Sequence, residues 1–295
     1  MKVSSSAPSP THSLGLGESS PFERIFLKDN EHLPFLITKT DQVIRHQVHA
    51  TGSWEPGLAQ FLADRLPPRA HVAIGGGHIG LLAFQLWAAR PDVHEIVVFE
   101  PDSVNAALLS VNVASWGESP VVGMPMALSD TTSLVTLARN PFNTGDNRLW
   151  DEIPSDLDAG GGDPELWERE RVVAVALDDV WGDRPLDLMF LDTQGWEPEA
   201  MKGAERILLA RRPLVVLEWW PRALVARGVD IEAFLRWVED DVRMALEMLP
   251  AEASGASNHD IYGAADTADI DRITDLLLED PDHAAYVELV ATPRR

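Results

Sequence analysis

The stretch from His71 to Asp102, HVAIGGGHIGLLAFQLWAARPDVHEIVVFEPD, constrains the fold of this chain most. A short apolar run, Val72 to Ile74, meets Gly75-Gly76-Gly77-His78-Ile79-Gly80. An apolar helical segment follows from Leu81 to Ala89, and a second strand, Glu95 to Phe99, stops at Glu100. Strand, glycine turn, helix, strand predicts a parallel pair joined by a crossover helix. Glycines at such a turn let the backbone pass close under a ligand. The helix amides beyond it offer donors to polar or anionic groups. A carboxylate about twenty residues on can accept hydrogen bonds from both hydroxyls of a ribose. The pattern therefore predicts a crevice for an adenosine-containing ligand.

The rest of the chain continues the alternation. Val121–Leu128, Ser133–Ala138, Val172–Ala176, Leu186–Asp192, Arg212–Glu218 and Ala284–Val290 read as strands. Gly57–Leu66, Glu197–Leu209 and Ile270–Leu278 read as helices, and helices are expected across Pro221 to Leu249. Phe35-Leu-Ile-Thr and Gln42-Val-Ile-Arg read as a small hairpin. Alternating β and α predicts a mostly parallel sheet with helices on both faces. Residues 1–20, rich in Ser, Pro and Gly, are expected to form a disordered tail, and 21–70 a lead-in of short strands and a helix. The main domain is expected over 71–295. Within it, 139–170 is polar, rich in Gly, Pro, Asp and Asn, and carries two tryptophans; its length predicts either a lid or a surface excursion.

Composition excludes some functions. The chain has no cysteine, so disulfides, thiolate metal sites and cysteine nucleophiles are ruled out. Its 47 acidic and 24 basic residues give a net charge of -23, which repels nucleic acid and anionic membranes and suits a neutral or cationic small molecule. No run is apolar enough to span a bilayer. The first twenty residues lack the apolar core of a secretory signal, so the expected location is the cytoplasm.

The second chemical signal is Leu188-Met-Phe-Leu-Asp192-Thr-Gln-Gly195-Trp196-Glu197. Asp192 ends an apolar strand, where ligands of an open parallel sheet bind. It can orient a substrate hydroxyl or take its proton, or instead cap the following turn. Glu218 ends the next strand. The two carboxylates together suit magnesium, although no local ligand spacing supports a metal. His78 sits in the glycine turn, as a ligand contact or a base. Glu55 reaches the pocket mouth or is a first-turn charge. Trp150, Trp196, Trp219 and Trp220 are candidates for the walls of an apolar substrate pocket, or ordinary core.

GGGHIG at 75–80, FEP at 99–101, ALSD at 127–130, LDD at 177–179 and FLDTQGWE at 190–197 occur in one order and spacing. In these motifs the chain, from about Gly52 to Glu218, resembles the FkbM family of S-adenosylmethionine-dependent methyltransferases. The resemblance implies an α/β, Rossmann-like class I methyltransferase fold: a mostly parallel seven-stranded sheet with helices on both faces, whose antiparallel last strand Ala284–Val290 could supply. It implies S-adenosylmethionine as cofactor and S-adenosylhomocysteine as product. Gly75, Gly76, Gly77, Gly80 and Asp192 would line the cofactor, Glu100 would hold the ribose, and Ser129 and Asp130 would lie near adenine. It implies O-methylation of a small molecule of the secondary-metabolite, glycan or lipid type, with Asp192 or His78 taking the proton. The expected partner is a small methyl acceptor, with no nucleic acid and no membrane insertion; a homodimer is compatible. Two positions depart from the family: Ile74 stands where it has an aspartate, and Gln194 where it has a glutamate. They motivate the alternative of a non-catalytic binding protein. An NAD(P)-linked oxidoreductase would share the glycine turn, but no Tyr-x-x-x-Lys pair accompanies it.

Overall fold

The computed structural model describes residues 16–28, 33–150, 166–250, 253, 268–280 and 285–294. The chain enters through an antiparallel hairpin, β1 (Phe22–Phe26) and β2 (Pro34–Thr38), followed by α1 (Ile44–Thr51) and α2 (Pro56–Arg65). Then come β3 (His71–Gly75), α3 (Leu81–Ala89), β4 (Glu95–Phe99), α4 (Ser103–Ser115) and β5 (Val121–Met124). Three strands, β6 (Ala127–Leu128), β7 (Ser133–Arg139) and β8 (Glu168–Val175), form a separate small sheet. The chain returns through α5 (Leu177–Val180), β9 (Leu188–Leu191), α6 (Glu197–Lys202), α7 (Glu205–Arg211) and β10 (Leu214–Trp219). Next are α8 (Pro221–Ala226), α9 (Ile231–Arg236), a π-helical turn at Trp237–Asp241, β11 (Met244–Met248), α10 (Ile270–Glu279) and β12 (Val287–Pro293).

The central sheet has seven strands in the order β11-β12-β10-β9-β3-β4-β5. The last strand, β12, runs antiparallel to both its neighbours, and the other pairs are parallel. This is the Rossmann-like class I methyltransferase fold. Parallel pairs need crossovers, so both faces are covered and the strands read as apolar runs. Side-chain alternation sorts each strand into two cores. Val72, Ile74, Ile96, Val98 and Phe190 pack with α2 and α3. Ala73, Val97, Phe99, Met189 and Leu191 pack with α6, α7 and α10. From β3 the chain winds outward to β5, then returns to β9 on the other side of β3. That reversal opens a crevice beyond the carboxyl ends of β3 and β9. Among the described residues no helix is long and apolar enough to cross a membrane.

The lead-in is pinned to this crevice. The backbone of Leu36 donates to Asn112 Oδ1 at 2.7 Å, and Asn112 Nδ2 donates to the carbonyls of Leu36 and Ile79 at 3.3 and 3.0 Å. One buried amide thus joins β2, α4 and the end of the glycine turn.

Four sequence expectations change. The partner of Phe35–Thr38 is Phe22–Phe26, not Gln42–Arg45. Asp41 Oδ1 accepts the backbone N–H groups of Val43 and Arg45, which starts a helix there instead of a strand. The strand expected over Val121–Leu128 divides at Pro125, which has no N–H to continue a ladder, and its two halves join different sheets. The helix expected over Glu197–Leu209 breaks at Gly203, where the backbone carbonyl of Ser129 approaches too closely for any side chain. The segment ending at Leu249 contains β11. Met-Ala-Leu-Glu-Met favours helix by propensity, but pairing with β12 along its whole length overrides it.

Candidate active site

The glycine turn is shaped first by the protein itself. Gly76 has φ +78°, and a Cβ there would lie 1.7 Å from the Asp192 carbonyl oxygen. A Cβ on Gly77 would lie 1.9 Å from Val98 Cγ1, one on Gly75 2.9 Å from Leu191 Cδ2, and one on Gly80 2.7 Å from Leu109 Cδ1. The backbones of Gly76 and Gly77 both donate to the Phe99 carbonyl, at 2.9 and 3.2 Å. The turn is thereby pressed onto β4 and β9, and Gly76 lines the resulting cleft.

Glu100 is 4 % exposed at the end of β4. Its Oε2 accepts the His78 backbone N–H at 2.8 Å, and its Oε1 accepts that of Asp102 at 2.9 Å. These contacts fix the carboxyl at the edge of the cleft. Burial pushes this carboxyl up to about 8. Pro101 and Leu128 give the cleft apolar walls beside it, and Thr144 and Asn147, from the start of the long insertion, lie along it too.

His78 has a left-handed backbone, φ +50°. Its Nε2 lies 2.8 Å from Thr144 Oγ1, which donates to Asp41 Oδ2 at 2.7 Å. A hydroxyl committed to a carboxylate accepts from its other neighbour. This network assigns the proton to His78 Nε2 and, among the described residues, leaves the Nδ1 lone pair free. Burial holds the imidazole below the usual histidine range, against the opposing charges of Asp41 and Asp102.

At the other side of the switch point, Asp192 Oδ1 accepts from Gln194 Nε2 at 2.7 Å. The same nitrogen donates to Glu218 Oε2 at 3.0 Å. The Gln194 amide thus bridges two carboxylates. Glu218 stands directly opposite Glu288 in the β10–β12 register, and the two are 6 % and 3 % exposed. Glu55 occupies the N-cap of α2 with φ +43°. Burial raises Asp192 to about 6 and Glu218 well above the usual range. Burial, then the charges of Asp192 and Glu288, raise Glu55 to about 8. Among the described residues, no lysine or arginine forms an ion pair with Asp192, Glu218 or Glu55. Nor is any group of three or more His, Asp or Glu arranged to hold a metal ion among them.

Glu197 holds the turn that presents Asp192. It is 1 % exposed, and its Oε1 accepts from Thr193 N at 2.7 Å, Thr193 Oγ1 at 2.9 Å and Gly195 N at 3.4 Å. Burial brings it to about 7.

The remaining sequence candidates divide. Trp150 is buried with Trp220, and Trp196 and Tyr286 pack against them. Trp196 also donates from Nε1 to Ser129 Oγ at 3.1 Å. Ser129 is therefore tied to Trp196, Asp130 is exposed, and the cleft wall at that point is Ala127 and Leu128. Trp219 is 0 % exposed on the opposite side of β10 from Glu218; its Nε1 donates to Thr274 and its ring stacks on Phe234. It belongs to the core, away from the cleft. Ile74, 1 % exposed, likewise offers nothing to the cleft. Of the 139–170 insertion, 151–165 lies outside the described residues. Asp41, Thr144, Tyr286, Glu288 and the role of Glu197 escaped sequence reasoning. Only Glu288 left a signal, an acid amid the apolar run Tyr286-Val-Glu-Leu-Val.

These carboxyls make stability depend on pH. In the folded chain Glu100, Glu55, Glu197 and Asp192 hold protons at about 8, 8, 7 and 6, against 4.5 for a free glutamate and 3.8 for a free aspartate. A folded value above the unfolded one gives stability that is present below the unfolded value and lost as pH rises through the folded one. The melting temperature of the ligand-free protein is therefore expected to fall from pH 5 to pH 8. The fall should persist at about 1 M salt, which screens surface charge more than buried charge. A melting temperature that rises or stays flat over that window contradicts the carboxyl assignments.

No family model matches the chain, and no curated protein matches it in sequence. Solved structures align with it at low identity. A methyltransferase FkbM from Methylobacillus flagellatus KT aligns over 81% of this chain with 13% identity and a TM-score of 0.46; the chain spans about half of that protein, 48%. A caffeoyl-CoA O-methyltransferase, so described provisionally, from Staphylococcus aureus aligns over 88% of this chain and 93% of its own, with 11% identity and a TM-score of 0.43. A precorrin-6y C5,15-methyltransferase from Geobacter metallireducens GS-15 aligns over 88% and 94%, with 11% identity and a TM-score of 0.41. The fold is defined by the strand order, and what it can do by the cleft.

Proposed function

We propose that this chain is an S-adenosylmethionine-dependent methyltransferase acting on a hydroxyl of a small molecule, of the secondary-metabolite, glycan or lipid type. The observation that carries the reading is Glu100, buried at the switch point beside the cleft with both oxygens fixed by backbone N–H groups, the place of a carboxyl that would hold a ribose. The charge of the cleft favours a sulfonium over a dinucleotide. Asp192, which holds its proton only up to about 6, carries charge there at pH 7 and stabilises a cationic sulfonium where it would repel a pyrophosphate.

Glu100 would hold the ribose, Pro101 and Leu128 would flank the base, and Gly76 would pass beneath. The cofactor, when bound, supplies an electrophilic methyl group. Asp192, at about 6, is ionised at pH 7 and can accept the proton of an acceptor hydroxyl. The free Nδ1 of His78 is the second candidate for that proton. Orientation of the acceptor against the methyl supplies much of the rate. Calorimetric titration of the folded protein with S-adenosylmethionine, S-adenosylhomocysteine and NADH tests the reading. Micromolar binding of the first two and none of NADH is expected; folded protein that binds neither sulfur compound refutes it.

A further inference from the structure

Three segments far apart in the chain meet at one side of the cleft. Asp41 precedes α1, His78 lies in the glycine turn, and Thr144 lies in the long insertion; His78 and Thr144 both line the cleft. Asp41 is 0 % exposed. Its Oδ1 accepts the backbone N–H groups of Val43 and Arg45 at 3.2 and 2.9 Å. Its Oδ2 accepts the Thr144 N–H at 3.0 Å and the Thr144 hydroxyl at 2.7 Å. A carboxylate has about four acceptor places, and here donors fill them all. Asp41 therefore only accepts, and the single hydroxyl proton of Thr144 is committed to it.

Thr144 is held in place from several sides. Its carbonyl accepts from Asn105 Nδ2 at 2.8 Å and Asn147 Nδ2 at 3.1 Å. The Gln42 N–H donates to the Phe142 carbonyl at 2.7 Å, which ties the insertion to the lead-in. A Cβ on Gly145 would lie 2.8 Å from Ile44 Cδ1, so the two segments touch there as well. His78 Nε2, 2.8 Å from the Thr144 hydroxyl, therefore meets a lone pair and carries the proton. Its Nδ1 makes no hydrogen bond among the described residues, yet it is not sealed from water. A neutral imidazole with a lone pair open to a ligand cleft is the form a base needs. Burial helps to keep the ring neutral, and the opposing charges of Asp41 and Asp102 favour the imidazolium once it forms.

We propose that Asp41 and Thr144 are positioning residues that fix His78 as its Nε2–H tautomer, so that Nδ1 takes the proton of the methyl acceptor. The receipt of that proton rests on the methyltransferase reading; the tautomer itself does not. The hydroxyl proton passes to Nδ1 as the acceptor oxygen bonds to the methyl carbon and the electron pair of the broken carbon–sulfur bond stays on sulfur. The imidazolium keeps its Nε2–H on Thr144, with Asp41 one hydroxyl away, and gives the new proton to water afterwards. Nitrogen NMR of the full chain labelled at its histidines reads the proton position, because protonated and unprotonated ring nitrogens resonate far apart. His78→Asn, which suits the left-handed backbone at φ +50°, assigns the signal by removing it. The proton is expected on Nε2 in about nine molecules of ten or more, the roughly tenfold bias of one hydrogen bond. Thr144→Val should bring that fraction below about half, because the Nε2–H loses its acceptor whereas an Nδ1–H reaches water, and Thr144→Ser should restore it. Asp41→Asn is a poorer test, since its NH2 would face a backbone donor whichever way it turned. Saturation with S-adenosylhomocysteine should shift the Nδ1 resonance and leave the proton on Nε2. A proton on Nδ1 in the parent, a tautomer that ignores Thr144→Val, or an Nδ1 signal unmoved by bound S-adenosylhomocysteine overturns the proposal. The expected tautomers in protein that fails to bind S-adenosylhomocysteine would keep the tautomer relay and remove the methyltransferase reading. The reverse result would remove the relay alone.

Discussion

Glu100→Ala is expected to weaken S-adenosylhomocysteine binding by on the order of 10-fold or more at pH 7, because two ribose hydroxyls lose hydrogen bonds worth about 0.5–1.5 kcal/mol each to a carboxyl that is largely neutral there. The truncation also orphans the backbone N–H groups of His78 and Asp102, which Glu100 accepts at 2.8 and 2.9 Å. His78 would then no longer be held in its left-handed conformation by that contact. Glu100→Gln is expected to fare little better. Both carboxylate oxygens face a donor, so the amide NH2 must meet one of them whichever way it turns. The folding consequence is mixed, since removing a carboxyl held at about 8 also relieves a desolvation cost. Titration calorimetry on variants whose circular dichroism matches the parent separates the two effects. Parent-like affinity in both variants would show that the ribose is held elsewhere.

Gly76→Ala is expected to be the most damaging single-methyl change in the chain, costing more than about 4 kcal/mol of stability or preventing folding. Two penalties coincide. At φ +78° an alanine is strained by about 1–2 kcal/mol. Its Cβ would also lie 1.7 Å from the Asp192 carbonyl oxygen, which is backbone and cannot swing aside. Relief requires β9 to move from β3, breaking the bond from the Asp192 N–H to the Gly75 carbonyl at 3.0 Å and displacing the Asp192 carboxylate. Gly117→Ala and Gly228→Ala are the controls. Both glycines have φ +75° with nothing within 4 Å, so only the strain remains. Urea unfolding of the three variants measures the difference. If Gly76→Ala unfolds like the controls, the close approach of β3 and β9 is wrong.

Much of the fold was legible because it is written locally. The glycine turn, the strand ending at Glu100 and the strand ending at Asp192 each carry period and punctuation within a dozen or so residues. Burial on both faces makes parallel strands continuous apolar runs, which composition alone exposes. The elements misread were set by a distant partner or by an overlooked local signal. β11 is a helix former paired to β12, and Gln42–Arg45 lost its strand to the cap formed by Asp41.

The candidate site divides in the same way. Residues at strand ends, Gly76, Glu100, Asp192 and Glu218, were readable because an open parallel sheet places every such end on one edge. Trp219 was misplaced by one position, since alternation turns it into the core and its neighbour Glu218 toward Gln194. By itself the sequence determined the βαβ unit, the parallel sheet and the acidic residues at its carboxyl edge, because each follows from short-range periodicity. Only the tertiary structure decided that Asp41 reaches His78 through Thr144, that Glu288 faces Glu218, and that Gln194 bridges two carboxylates. Those contacts join residues far apart in the chain, and their geometry exists only once the sheet order has closed.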